Sequence, residues 1–347
     1  MAVIEVDGSR LEVLEGTPLI NALQSQGYSI SRFPEDPGLF MPCRTGGCWA
    51  CAVEADGRLR PACVLTVRDG MTIRTNPSHL VPKRLVGGFM GHGVGGVGTP
   101  WRLKGRYIEA ACFTAGCNFL CPQCQNWSFS FSSQGQPLSP EEAARMMTSA
   151  GKRYGVERLA ISGGECTLNQ RWLLEYLGHL RRLNSGARLH VDTNGSLLTQ
   201  GYLDRLVEAG MTDIGIDLKA IRLPTFMHIT GLGEEDLAER YLTTAWRAAE
   251  YLIKEEIPVF LGIGIPYNRD LLGLAEIEEM GRRILALDSE VQVCVLDYRP
   301  AYQRLHLVRP TFEEMRRIGE LLRGLGLKSV ICQTERGRIG PEGSLLR

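Results

Sequence analysis

Seven of the eleven cysteines stand in two tight groups, Cys43-x4-Cys48-x2-Cys51 with Cys63 downstream, and Cys117-x3-Cys121-x2-Cys124. Short loops have to gather thiols spaced so closely, and eleven of them exceed what chance core filling supplies. Met1 to Gly8 lack the basic-then-apolar pattern of a secretion signal, and no uninterrupted apolar run approaches the roughly 18 residues of a membrane helix. The expected protein is cytoplasmic, has no membrane partner, and keeps its thiols reduced for metal or redox chemistry.

Lysine plus arginine and aspartate plus glutamate are both 39, so no global field favours a polyanion and nucleic acid is not indicated as a partner. With 347 residues, 44% of them hydrophobic, there is material for two or three cores. Residues 1–78 read as short strands and tight turns. Hairpin dipeptides stand at Asp7-Gly8 and Asp56-Gly57. Between them one helix is expected, with Thr17 as N-cap, Pro18 at its first position, and Leu19, Ile20 and Leu23 as its apolar stripe. Two hairpins around one helix suggest a small α+β module of the β-grasp type. Residues 79–105 hold the run from Gly87 to Gly98, too rich in glycine to bury a core, and read as a linker that also has the means to touch a ligand.

Residues 106–347 alternate strand and helix, with strands expected from about Tyr107, Val156, Ala187, Thr212, Pro258, Val291 and Lys328. Capping boxes at Ser139 and Thr311 phase the helices. This is an α/β pattern with a parallel sheet, and six or seven units favour a partial (β/α)6-type barrel over a closed eightfold one. Active-site residues then belong in the loops after the strands.

The spacing of Cys43, Cys48, Cys51 and Cys63 is the plant-type [2Fe–2S] ligand pattern, and the glycines of Cys43-Arg44-Thr45-Gly46-Gly47-Cys48 let backbone amides approach sulfur. A zinc ribbon is the alternative, although it usually wants two C-x2-C knuckles. Arg60-Pro61-Ala62-Cys63 and Val67-Arg68-Asp69-Gly70-Met71 resemble the ferredoxin-like domain of NADH dehydrogenase and iron-hydrogenase subunits over most of residues 1–78.

Cys117, Cys121 and Cys124 follow the first strand of the barrel. A cubane on three thiolates leaves one iron open to a small chelating ligand, much as a catalytic zinc does; a chance metal knuckle is the bland alternative. Here the chain resembles the radical S-adenosylmethionine superfamily. The resemblance implies a [4Fe–4S] cluster on Cys117, Cys121 and Cys124, and S-adenosylmethionine bound to it. Ser162-Gly163-Gly164-Glu165 matches the motif that receives the cofactor's amino group. Asp192-Thr193-Asn194-Gly195 and Asp217-Leu218-Lys219 resemble motifs of pyruvate formate-lyase activating enzyme and its relatives. In those enzymes the aspartates and lysine lie near the cofactor, and Asp192 and Asp217 correspond to positions around a monovalent-cation site. Strand alternation puts Asp217 and Lys219 on one face, where a plain salt bridge is the other reading. Gly264, in Leu261-Gly262-Ile263-Gly264, matches the segment beside the adenine ring; an ordinary buried strand is as good a reading.

Cys117 to Trp127 looks most like the activating-enzyme-like subfamily of the AmmeMemoRadiSam system, although Gln123 replaces the aromatic residue many members carry. Cys112, Cys294 and Cys332 read as core filling. Cys166 follows Glu165 and is a candidate hydrogen donor at the cofactor mouth, and Tyr298, Arg299 and Tyr302 are candidates to line the substrate entrance. The implied activity is reductive cleavage of S-adenosylmethionine to a 5′-deoxyadenosyl radical. A ferredoxin- or flavodoxin-type donor of low potential would feed the [2Fe–2S] centre, and the linker would let that domain dock and swing. The substrate, a small molecule or a partner protein, is not legible. A glycyl-radical activase and a non-catalytic two-cluster electron carrier are the competing readings.

Overall fold

A computed structural model describes residues 1–346. β1 (Ala2–Val6) and β2 (Ser9–Val13) form the first hairpin, and α1 (Leu19–Ser25) follows. β3 (Ile30–Ser31) and β4 (Leu39–Phe40) make a small parallel pair before β5 (Ala52–Ala55), β6 (Arg58–Pro61) and β7 (Thr72–Arg74). Strand order is β2-β1-β7-β5-β6, with β7 parallel to β1 at the centre, as a β-grasp requires. Val6 pairs with Ser9 and Ala55 with Arg58, so both hairpins turn in two residues. Asp7 and Gly8 have φ of 49° and 84°, Asp56 and Gly57 of 50° and 73°; two left-handed residues in succession give the turn whose twist matches the strands. Ile4, Val6, Leu19, Leu23, Val53 and Ile73 fill the core beneath.

Thr17 does not cap α1. Pro18 occupies the N-cap without a side-chain bond, because residues 16–19 are held in extended form against residues 65–67: Gly16 N–H donates to Val67 O, Val67 N–H to Thr17 O and Leu19 N–H to Leu65 O.

The second sheet begins inside the stretch expected to be a linker. β8 (Val86–His92) pairs antiparallel with β9 (Glu109–Thr114). Its glycines serve close packing: a Cβ on Gly91 would meet the Tyr154 ring at 2.5 Å. After α2 (Trp127–Ser130) come α3 (Pro140–Tyr154), β10 (Arg158–Gly163), α4 (Gln170–Leu183), β11 (Arg188–Thr193), α5 (Gln200–Glu208) and β12 (Asp213–Asp217). Then follow α6 (Leu223–Thr230), α7 (Glu235–Lys254), β13 (Phe260–Tyr267), α8 (Leu274–Leu287), β14 (Gln292–Asp297), α9 (Phe312–Leu325), β15 (Val330–Thr334), β16 (Gly337–Ile339) and β17 (Leu345–Leu346). β9 to β15 are seven parallel strands in chain order, flanked by antiparallel β8 on one side and by β16 and β17 on the other. The two edges do not meet, so the barrel is partial and open. Both expected capping boxes, at Ser139 and Thr311, are formed.

Candidate active site and the two cysteine loops

In the β-grasp module the chain winds around its thiols through left-handed residues, Arg44 at φ 54°, Gly46 at 81° and Trp49 at 59°. Cys43 and Cys48 Sγ are 3.0 Å apart, and the Cys63 thiol reaches both Cys43 and Cys51. Thr45 and Ala50 N–H donate to the sulfurs of Cys43 and Cys48, each at 3.4 Å. Donation from Cys48 and Cys63 holds the Cys43 thiol well below its ordinary pKa, while burial pushes Cys48 up and the neighbouring sulfurs push Cys63 up, so a single thiolate is favoured here before metal arrives. Four converging thiols with amides aimed at sulfur suit a [2Fe–2S] centre. Among the described residues no trio of His, Cys, Asp or Glu gathers around one point as a single ion would need, whereas a two-iron centre takes its thiolates spread over both metals.

The second loop leaves β9 and crosses the mouth of the barrel. Cys117, Cys121 and Cys124 line a cavity of about 590 Å³ together with Ser162, Gly163, Gly164, Asp192, Thr193, Asn194, Asp217 and Lys219. Burial pushes the Cys121 thiol up to about 12 and the Cys117 thiol well above the usual range, so ionising these groups calls for a metal or a cation. The loop is pinned from several sides. Leu120 N–H donates to Thr230 O at the end of α6, Phe119 packs edge-on against Phe226, and Asn118 bonds Ser196 and Asn194. Gln123 faces away from the cavity: its Nε2 donates to Ile229 O (2.7 Å) and its Oε1 accepts from Arg304 (2.9 Å). The residue that replaces the expected aromatic is thus a latch for the loop, a role that sequence reasoning missed.

Gly163 and Gly164 line the cavity and also meet a packing requirement. A Cβ on Gly163 would meet Thr114 N at 2.4 Å and one on Gly164 would meet Gly116 O at 2.3 Å, so they let β10 close on the start of the cysteine loop. Glu165 is fully buried beneath the cavity. Its Oε1 accepts from Thr167 N–H, Thr167 Oγ1 and Thr193 Oγ1, and its Oε2 from Asn194 N–H at 2.7 Å, which leaves acceptor capacity chiefly on Oε2. Cys166 is also buried and donates to Asp192 O (3.1 Å), so it sits in the core and not at the cavity mouth. Lys219 Nζ donates to Asp217 Oδ2 (2.8 Å) and Tyr298 Oη (2.9 Å); burial opposes its charge, but Asp217 and Tyr298 outweigh that and hold it well above the usual lysine range. Tyr298 and Arg299 line the cavity, whereas Tyr302 stacks on Trp127 at 5.2 Å outside it.

The floor of the cavity is built by the glycine run. Residues 96–99 lie flat on β11 to β14, where a Cβ on Gly262 would meet Val97 O at 1.9 Å and one on Gly98 would meet Ile214 C at 2.4 Å. Gln292 Nε2 ties the segment down through Val97 O and Thr99 O. Gly262 therefore admits the chain's own backbone. Gly264 lies beside Asp217 and the Val97 side chain, outside the residues that line the cavity. Beneath the segment, His190 bridges Glu109 (3.1 Å) and Asp192 (3.0 Å), and despite burial the two carboxylates raise it to about 10. Asp192 and Asp217 are each matched to their own cationic partner.

The two cysteine loops touch. A Cβ on Gly116 would lie 2.5 Å from Cys48 Cβ, and one on Gly47 would lie 2.7 Å from Ala115 Cβ. Leu85 N–H donates to Gly47 O while Leu85 O accepts from Ala115 N–H, and Asn169 Nδ2 donates to Cys48 O. Further out, Arg32 pairs with Glu234, and Arg240 pairs with Asp36 while lying 3.7 Å over the Phe33 ring. The β-grasp module is seated on the barrel and does not hang from a swinging tether.

Residues 112–272 match the Radical SAM superfamily, and residues 2–78 match the 2Fe-2S iron-sulfur cluster binding domain. Over 92 residues the chain is 33% identical to a component of the NADH-quinone oxidoreductase of Streptomyces coelicolor, a match that covers 26% of this chain and 11% of that protein. It is 31% identical over 122 residues to GTP 3',8-cyclase of Geobacter sulfurreducens and 25% identical over 199 residues to that of Petrotoga mobilis, covering 35% and 56% of this chain. Those alignments span 36% and 57% of the two cyclases. Streptococcus suis SuiB bound to S-adenosylmethionine overlays 60% of this chain and 44% of its own at a TM-score of 0.45 and 16% identity. The match over residues 2–78 removes the zinc-ribbon alternative. A [2Fe–2S] cluster belongs to the first domain, and a [4Fe–4S] cluster with S-adenosylmethionine to the second. No helix among the described residues is long and apolar enough to cross a membrane. Residues 112–272 are thus a radical SAM superfamily domain, with a 2Fe–2S iron-sulfur cluster binding domain ahead of them at residues 2–78.

Proposed function

We propose that this chain is a radical SAM enzyme with a built-in electron relay, in which the N-terminal [2Fe–2S] domain reduces the barrel's cluster from a fixed position. The observation that carries the proposal is the contact of Cys48 with Gly116, one residue before Cys117. When bound, the [4Fe–4S] cluster and S-adenosylmethionine supply a one-electron cleavage of a carbon–sulfur bond whose 5′-deoxyadenosyl product takes a hydrogen atom from the substrate. The chain's own residues do the rest. Cys117, Cys121 and Cys124 would hold three irons and leave the fourth to the cofactor. Glu165 Oε2, oriented by Asn194, would accept from its ammonium, and Lys219 would offer a cation to its carboxylate.

An external donor of the ferredoxin or flavodoxin type would supply the electrons. The cyclases act, by their name, on GTP, but the alignments leave much of both proteins unmatched, and that substrate is not carried over. The test is anaerobic: the full chain, with complete iron and sulfide content, is reduced with dithionite and 5′-deoxyadenosine is quantified. Product at turnover above the cluster-free protein is expected, and none from a fully loaded sample would overturn the proposal. A glycyl-radical signal on a peptide from a partner protein in the same sample would identify the activase variant.

A further inference from the structure

Arg84 is fully buried, and among the described residues its guanidinium donates only to main-chain carbonyls: Cys166 O, Glu165 O and, at 3.2 Å, Ala115 O. No carboxylate pairs with it among the described residues, and its Nε has no acceptor. The neighbouring carboxylate of Glu165 is taken up by Thr167, Thr193 and Asn194. Those donors are neutral, so the Glu165 carboxylate offsets part of the arginine's charge from a distance, but no carboxylate reaches the guanidinium, which stands as a fixed buried cation open to a further negative charge nearby.

The position says where that charge comes from. Arg84 precedes Leu85, whose backbone joins the two cysteine loops through Gly47 and Ala115, and Arg84 itself is clamped to Leu138 by backbone bonds in both directions. Asn169 Nδ2 donates both to Cys48 O (3.1 Å) and to Lys83 O (3.2 Å), so the residue preceding Arg84 is tied directly to the first cysteine loop. Iron–sulfur centres on thiolates are net anionic and gain a further negative charge on reduction, so a fixed cation nearby favours the reduced state.

We propose that Arg84 is a positioning residue that raises the reduction potential of the [2Fe–2S] centre. This rests on both loops carrying clusters. The experiment compares the full chain with Arg84→Gln, which keeps donors and loses the charge, and Arg84→Lys, which keeps the charge and loses the planar fork. Midpoint potentials are read by redox titration followed by electron paramagnetic resonance, with iron and sulfide measured in each sample.

Arg84→Gln should disfavour reduction of the [2Fe–2S] centre by about tenfold, about 59 mV for a one-electron couple, while Arg84→Lys stays near the wild type. An unchanged potential in loaded Arg84→Gln would overturn the proposal, as would an equal shift in Arg84→Lys. If Arg84→Gln does not fold, Arg84→Lys decides alone: a wild-type potential supports the charge, and a lowered one refutes it. Failure of the wild-type chain to load a [2Fe–2S] centre would instead refute the relay reading beneath it.

Discussion

Replacing Gly116 by alanine should pry the two cysteine loops apart, and its cost can be worked from the structure. Gly116 has φ of 86°, a conformation that costs a residue with a Cβ about 1–2 kcal/mol. The added carbon would stand 2.5 Å from Cys48 Cβ and 2.7 Å from Cys48 N, both parts of a buried loop that cannot swing aside. Carbon atoms rest about 3.5–4.0 Å apart, so the loops must separate by about 1 Å. Overpacking of that kind typically costs about 1–3 kcal/mol, for a total of about 2–5 kcal/mol. At about 2–4 °C per kcal/mol, the first calorimetric transition of the anaerobic holoprotein should fall by roughly 4–20 °C. Gly57→Ala is the control, since Gly57 also has positive φ, 73°, but no atom of the described residues within 4 Å of its would-be Cβ. It should lose only the strain. Equal losses in the two variants would refute the claim that the loops are held in contact. A donor-driven 5′-deoxyadenosine rate that survives Gly116→Ala unchanged would refute the relay through that contact.

Cys63→Ser should remove the [2Fe–2S] spectrum while dithionite-driven 5′-deoxyadenosine formation persists; Cys121→Ser should do the opposite, and either variant losing both centres would show that the loops do not load independently. Gly262→Ala should cost about 1–3 kcal/mol by overpacking, because the obstructing atom is the Val97 carbonyl oxygen and not a movable side-chain tip; a melting temperature equal to the wild type would mean residues 96–99 do not rest on β13. His190→Gln should cost about 3–5 kcal/mol at neutral pH, the usual loss on breaking a buried ion pair. The folded pKa of His190, about 10, lies above its ordinary value of 6.5, so the stability it confers is complete below about pH 6.5 and disappears as pH rises through 10. Urea denaturation at pH 7 and above pH 10 checks this, and an equal cost at both would show that His190 is not held as a cation between Glu109 and Asp192.

Local chemistry was readable without coordinates. The two Asp-Gly dipeptides demanded left-handed turns and formed them; Ser139 and Thr311 with their glutamates demanded capped helices and capped them. Strand starts expected at Tyr107, Val156, Ala187, Thr212, Pro258, Val291 and Lys328 lie within two residues of those observed. Thr17 failed as a cap because residues 65–67, far along the chain, hold its segment extended.

The glycine run from Gly87 to Gly98 has the composition of a free tether but folds into β8 and the floor of the cavity. Glycine signals equally a free tether and a backbone that must pass within van der Waals contact of another, and only the second backbone, here Gly215 and Gly262, tells which. Cluster ligands, hairpins and strand periodicity depend on residues a few positions apart, which is why the order of amino acids alone determined the two domains and their metal chemistry. The seating of one cysteine loop on the other, the Gln123 latch, the core position of Cys166 and the isolated charge of Arg84 each join segments dozens of residues distant. Their meaning exists only once close packing has chosen which of those segments become neighbours.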